Sequence, residues 1–411
     1  MEAPQRERRA RPAALSTLLA LALLSGAAAE VAAEPYMAIR EGRKCGSCHV
    51  NVRGGGMRTL LANTHMQEIT HYRDLFPEFA EATEVFTGQI TSFLSLGADL
   101  RVDNALVFQD EPNAEGRVPN DKVFRSNVDE NILEVREAAI YGLVDLYPEY
   151  LSSYIDVSFA PGGTNVREVF GLLRGLLPWG SYIKAGRFFL DYGLGYETDD
   201  LFSLDNPSQN LFVRGRTGTD FNAYDDGIEI GLQPGPFHIA ASVTNGSPGD
   251  SDVRFTFTTY AMLRDLPVVE NAIVGASFLR VAPDGSERIA YGFFAGANLG
   301  PLEYHAEIDF LHDDQDAADD DPAKAVGTFL AYGELNYLLC DWINTKVFGE
   351  YADNDGQPDN TDSAQNRFGA GIEPFLSRFL QARLFYSVAN GPENLPIANQ
   401  NWLVMELHLF F

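Results

Sequence analysis

Cys45 and Cys48 are separated by two residues, and His49 follows the second directly, in the run Cys45-Gly46-Ser47-Cys48-His49. That spacing is the attachment signature of haem c: both thiols add to the haem vinyl groups, and the adjacent imidazole supplies the proximal axial nitrogen. The chemistry it offers is the carrying of single electrons. The group on the other face of the iron stays open, because His65, Met57, Met66 and His71 all lie within reach of a chain wrapping back over the haem. A methionine there would give a higher potential than a histidine. No nucleophile–base–acid constellation accompanies the motif, so an enzymatic role is left undecided.

Covalent haem is assembled after export, and the chain opens with what reads as an export signal. Arg6, Arg8, Arg9 and Arg11 form a basic start, and Leu15 to Leu24 form an apolar core. That core is about ten residues long, right for a signal peptide and short of the roughly 20 that a membrane-spanning helix needs. Small residues give two expected cleavage points, after Ala29 and after Ala33. The chain has three Cys, and only Cys340 lies outside the motif, which excludes a disulfide framework; it reads as a packing residue. A net charge of −28 argues against nucleic acid as a partner.

From residue 87 to the end the chain alternates. Leu302, Tyr304, Ala306, Ile308 and Phe310 share one face, and Glu303, His305, Glu307 and Asp309 the other. A period of two with one charged face means strands with one wet side. About sixteen such strands are expected of an antiparallel outer-membrane β-barrel, with short turns at the periplasmic end and long loops outside. They fall at 88–107, 132–146, 150–160, 166–176, 181–189, 221–232, 236–245 and 253–263, then at 271–281, 287–298, 301–311, 326–338, 342–352, 366–374, 378–389 and 399–411. The tight turns fall at 147–149, 177–180, 233–235, Gly300, 339–341 and 374–377, and the longest loops at 108–131, 190–220, 312–325 and 353–365. The last strand alternates up to Phe411, and Trp179, Tyr182, Tyr337, Trp342 and Trp402 lie near strand ends, where aromatic girdles belong. His238, His305, His312 and His408 read as lumen or girdle residues. A soluble sandwich or propeller would not account for one charged strand face together with alternating loop lengths.

The expected organisation is therefore a signal peptide at 1–33, a mostly helical or irregular monohaem segment at 34–86 and a porin-like barrel at 87–411. Residues 34–86 are too few for a full soluble cytochrome, so the haem is expected to lean on the barrel wall or enter its lumen. One helical turn is expected within Pro35 to Lys44, and Gly54-Gly55-Gly56 reads either as a close approach beside the haem or as a plain turn. Two acidic runs, 312–321 and 353–362, would face the outside, either as solvated loops or as weak sites for Ca²⁺ or Fe²⁺.

A signal peptide, one Cys-x-x-Cys-His in a short segment and a barrel of this size together resemble the fused monohaem cytochrome–porins of the outer membrane. The best understood members of that group are extracellular iron(II) oxidases. In sequence the likeness is specific only at Ile39 to Asn51 and Gly54 to Arg58, a stretch similar to a wider group of haem-bearing barrels. Lys184-Ala185-Gly186-Arg187-Phe188 is similar to strands of phosphate-selective-type porins. What carries over is the covalent role of Cys45 and Cys48 and the proximal role of His49. The resemblance implies electron transfer across the outer membrane. The inner partner would be a soluble periplasmic cytochrome or other redox carrier; the outer one would be Fe(II), a mineral or a redox protein, in the manner of an iron(II):cytochrome c oxidoreductase. The surroundings of the motif differ from those of the iron oxidases, so the donor does not carry over and the direction of flow stays open. The rivals are a passive diffusion porin with a haem-bearing plug or sensor, and a haem peroxidase with an open sixth position.

Overall fold

A computed structural model describes residues 34–63, 78, 87–110, 128–147, 150–159, 163–194, 224–246, 253–281, 287–314, 326–353, 364–392 and 399–411. Residues 1–33, where a signal peptide is expected, most of the two acidic runs, and His65, Met66 and His71 lie outside the described residues.

Two short helices come first, α1 (Pro35–Arg40) and α2 (Cys45–Cys48). The strands then begin with β1 (Leu94–Phe108), β2 (Val128–Tyr147), β3 (Leu151–Ser158), β4 (Asn165–Arg174) and β5 (Tyr182–Phe189). They continue through β6 (Tyr224–Leu232), β7 (Phe237–Thr244), β8 (Arg254–Arg264), β9 (Asn271–Val281), β10 (Glu287–Leu299) and β11 (Leu302–Asp314). The series ends with β12 (Val326–Cys340), β13 (Ile343–Asp353), β14 (Gln365–Ser377), β15 (Leu380–Asn390) and β16 (Asn401–Phe410). Each strand pairs antiparallel with its sequence neighbours, and β1 closes on β16 from Asp99↔Phe410 to Phe108↔Asn401. The result is the closed barrel of sixteen strands that alternation and turn spacing lead one to expect. Because the strand number is even, the start of β1 and the end of β16 both lie at the short-turn end.

The wall is inverted relative to a soluble protein. On β11, Glu303, His305, Glu307 and Asp309 are buried toward the lumen, while Leu302, Tyr304 and Ile308 are exposed on the outside. Leu133 on β2 is 76 % exposed. A lipid-spanning barrel demands this arrangement: apolar side chains outward, and every backbone polar group paired in the ladder. Tyr291, Phe310, Phe329 and Tyr351 form a continuous aromatic row over four adjacent strands, with successive ring centroids 5.2, 5.2 and 6.1 Å apart. Inside, charges meet charges: Arg167 bridges Glu137 at 2.7 Å and Asp156 at 2.8 Å, Lys184 pairs with Glu229 at 2.9 Å, and Arg367 with Glu350 at 2.8 Å.

Four local expectations change. β1 starts at Leu94 rather than 88, because the Thr91 hydroxyl accepts the amides of Phe93 and Leu94 and closes a turn ahead of the strand. β14 runs on to Ser377, moving the turn past Pro374. Pro374 falls where the register to β15 lapses, between Ile372↔Leu384 and Phe375↔Gln381, so its missing N–H interrupts no paired position on that side. Cys340 is exposed at the end of β12 beside a bulge, so it is not a packing residue. Tyr182 points into the barrel and donates to Glu229 at 2.9 Å, so it is no girdle residue, whereas Trp179 and Tyr337 are exposed as expected.

Ile308 sits near the middle of β11 on the outer face. Ile308→Arg is expected to lower unfolding stability in phospholipid vesicles by about 2–4 kcal/mol, the cost of a cation at mid-membrane. Urea titration followed by tryptophan fluorescence measures it.

Candidate haem-binding site

Residues 34–63 lie inside the barrel, near the short-turn end, held there by polar contacts to the wall. Arg383 pairs with Glu34, and Arg378 donates to the Asn63 carbonyl. Lys44 Nζ donates to the carbonyls of Gly235 and Phe237, each at 2.7 Å, at the turn between β6 and β7. Deeper in the lumen, Asn51 Nδ2 donates to Glu168 Oε1 at 2.7 Å, and Lys184 Nζ donates to Asn51 Oδ1 at 3.3 Å. A chain crossing a charged lumen must satisfy that wall, and these contacts do so.

Local rules explain how the motif is presented. α1 has proline in its first turn, where the missing N–H costs nothing. It ends in a left-handed Gly42, φ 57°, with Gly42 N–H donating to the Ile39 carbonyl at 3.1 Å and Arg43 N–H to Ala38 at 2.9 Å. That pair of bonds is a Schellman termination, and it turns the chain into α2. α2 is a single turn carrying both cysteines, closed by His49 N–H on the Cys45 carbonyl at 3.0 Å. His49 is extended and opens a small hairpin with Arg58, with Val50 N–H donating to the Met57 carbonyl at 3.0 Å. The hairpin tip uses Gly54, Gly55 and Gly56, all at positive φ. At Gly56 a Cβ would come within 2.5 Å of the Tyr154 hydroxyl, so this position is a close approach to the barrel wall.

Cys45, Cys48 and His49 line one side of a cavity that is partly open to solvent. The other walls come from α1 (Met37, Ala38, Glu41), from Arg58 and Ala62, and from the barrel (Phe375, Arg383, His408, Phe410). The three motif residues are only partly exposed, and their open side faces this cavity. Burial pushes the His49 imidazole down to about 4, with Arg58 adding to the effect and the nearby Gly55 and Gly56 backbone opposing it. His49 is thus neutral at ordinary pH, the form that binds a metal. Burial, helped by Asp191 and Cys48, pushes the Cys45 thiol up to about 12, so it is not a reactive thiolate on its own. Among the described residues no group of three or more His, Cys, Asp or Glu is arranged to hold a bare metal ion. The Arg58 guanidinium lies 3.8 Å above the Phe410 ring, and its buried Nη1 has no hydrogen-bond partner. The buried His49 Nδ1 likewise has none of good geometry. A neutral imidazole, two adjacent thiols, an apolar ring wall and an unsatisfied cation are what a planar iron macrocycle bearing carboxylates requires, so these residues fit haem c.

Of the candidates for the distal position, Met57 is 2 % exposed and packs with Val50, Val52, Tyr141 and Tyr154, outside the cavity wall. His65, Met66 and His71 fall outside the described residues. His238, His305 and His408 point inward, and His312 is exposed at the long-loop end.

Residues 190–194 escaped the sequence reading. They do not leave the barrel at once but fold inward across its wall. The Asp191 carboxylate pairs with His238 Nε2 at 2.7 Å, and the Asp191 carbonyl accepts from Thr258 at 2.6 Å. Tyr192 donates to Asp309 at 3.0 Å, Gly193 N–H to Ser277 at 2.9 Å and Leu194 N–H to Glu307 at 3.0 Å. Leu194 reaches the cavity, and Arg53 of the hairpin donates to the Tyr192 carbonyl at 3.0 Å. The one available signal was the length of the loop after β5 together with Gly193 and Gly195 at its start.

No protein-family model matches the chain, and no relative is found among curated sequences. Solved structures do match. OprB of Pseudomonas putida superposes with a TM-score of 0.55 at 7 % identity, covering 83 % of this chain and 99 % of that one. OmpF of Salmonella typhi, in complex with daunomycin, gives 0.54 at 10 % identity, covering 77 % and 97 %. OmpT of Vibrio cholerae gives 0.53 at 10 % identity, covering 79 % and 99 %. The chain therefore has the fold of outer-membrane porins.

Asn51 ties the hairpin to Glu168 and Lys184. Asn51→Leu removes one hydrogen bond from each of those two buried charged groups, leaving Lys184 its pair with Glu229 and Glu168 its bond from the Phe189 amide, and should loosen the lumenal segment by about 1–3 kcal/mol. Hydrogen exchange should show lost protection across residues 49–58, with the barrel strands unchanged.

Proposed function

We propose that the chain is an outer-membrane electron-transfer protein in which one haem c, attached through Cys45 and Cys48 and ligated by His49, is held in the lumenal cavity. The observation that carries this reading is the placement of Cys45, Cys48 and His49 together on the wall of one cavity, with Arg58 and the Phe375 and Phe410 rings also on that wall, inside a porin-like barrel. The haem would supply a reversible one-electron couple. The chain's own residues do the rest. His49 would offer a neutral nitrogen, Arg58 would offer positive charge to the propionates, and Phe375 and Phe410 would keep the ring in apolar surroundings.

The porin fold puts short turns on the periplasmic side. The cavity lies at that end, within reach of a soluble periplasmic cytochrome or similar carrier. The outer partner would be Fe(II), a mineral or a redox protein, as the resemblance to cytochrome–porins implies.

The porin likeness also favours a second reading, a diffusion channel whose haem segment is a plug or sensor. Against it stands the filling of the lumen. The N-terminal hairpin and residues 190–194 join wall residues in shared apolar clusters, one holding Val50, Met57, Tyr154, Phe188 and Leu190, another holding Ile39, Leu194, Tyr260 and Phe294.

The double variant Cys45→Ala/Cys48→Ala should still insert as a barrel with heat-modifiable mobility, yet lose covalent haem staining and all electron exchange between a periplasmic donor and an external acceptor in proteoliposomes. Electron exchange at the wild-type rate in that variant refutes the reading. Planar-bilayer conductance at the level of an open porin would favour the channel instead.

A further inference from the structure

We propose that Met37, through its thioether sulfur, is the second axial ligand of the haem iron. The proposal rests on the haem reading above and assigns the position that reading leaves open.

α1 has two faces, set by the 100° turn per residue of a helix. Tyr36 and Ile39 are fully buried, with Ile39 packed among Tyr260, Met262, Ile273 and Phe294. On the opposite side, Met37, Ala38 and Glu41 face the cavity that Cys45, Cys48 and His49 line. The rotation of the helix is fixed at both ends. Glu34 is tied to Arg383, and the Arg40 carbonyl accepts Asn271 Nδ2 at 2.6 Å. Gly42 then fits against Asn271 and Arg264, where a side chain would collide. Met37 is therefore presented to the cavity by a clamped element. Ala38 beside it leaves room for a flat ring.

The chemistry discriminates among the described residues of the wall. A thioether is a soft, neutral ligand with no hydrogen-bond demand of its own, and it pairs with histidine in high-potential c-type sites. Two other residues with a sulfur, amine or imidazole donor stand on that wall outside the motif: Lys44, whose Nζ is held on the carbonyls of Gly235 and Phe237 at 2.7 Å each, and His408. Its Nε2 lies 2.9 Å from Asp99 Oδ2 and its Nδ1 lies 3.3 Å from Gln381 Oε1, so both ring nitrogens are already engaged. Met57 is packed away among tyrosines.

The test uses the purified full-length protein, with haem content first fixed by the pyridine haemochrome spectrum. A wild-type protein without covalent haem would overturn the underlying haem reading itself. Given haem, Met37→Ala should keep wild-type haem content and heat-modifiable mobility. It should shift the ferric spectrum from low spin toward high spin and lower the midpoint potential. Met37→His should restore a low-spin spectrum at a potential below wild type, which a merely structural role would not do. Met37→Leu, close in volume, guards against a folding defect and should behave as the alanine variant. Wild-type spectra and potential in both Met37→Ala and Met37→Leu overturn the proposal, as does the same spectral loss appearing instead in His408→Ala, His65→Ala, Met66→Ala or His71→Ala.

Discussion

A strand that crosses lipid has no water to bond its N–H and C=O groups, so each must find a partner within the protein. The pairing of β1 with β16 meets that demand for the whole barrel, because it removes the last two open edges. Closure then dictates the rest. One face of every strand must be apolar, and the other must look into a lumen, where charged groups are shielded from bulk water and have to be answered by one another. The Arg167–Glu137–Asp156 group and the Lys184–Glu229 pair are that answer. Removing one member of a buried pair of this kind costs about 3–5 kcal/mol, so such a wall tolerates little change.

A lumen built this way can receive a peptide only if the peptide brings matching groups. Residues 34–63 do so at three places: Glu34 and Asn63 meet arginines at the short-turn end, Lys44 caps three carbonyls of another short turn, and Asn51 joins Glu168 to Lys184 further in. Between these anchors the segment packs its apolar residues against inward-facing aromatics. A segment too short to form its own core thus borrows one from the barrel. The same clusters include Phe188, Leu190 and Leu194, so the apolar packing around the motif draws on the segment after β5 as well.

For the proposed haem, the consequence is burial. A haem iron's potential is set by its axial ligands, by hydrogen bonding around it and by exclusion of water. The aromatic wall of Phe375 and Phe410, the charges of Arg58 and Arg383, and the neutral state of His49 are all properties of the folded barrel acting on a motif that alone says nothing of potential.

The chain's alternation had a physical reason to be readable. Period two with a charged face is a local property of each strand, and the order of short and long connections is a local property of the turns, so closed-barrel architecture and nearly every strand boundary could be read from residues in a row. The Cys45–Cys48–His49 spacing was legible for the same reason, since its chemistry needs only neighbours. Local signals misled where a tertiary contact decided: Tyr182 looked like a girdle residue until Glu229, 47 positions later, drew it inward, and Pro374 looked like a turn until the lapse in register to β15 accommodated it. Met37 gave no sign, because its place on the cavity depends on the clamp at Asn271 and Arg383, which lie more than two hundred residues away. What the sequence by itself determined is a Cys-x-x-Cys-His motif ahead of a membrane barrel. That the motif sits within the barrel, and what stands across the cavity from it, came from long-range packing that no local pattern encodes.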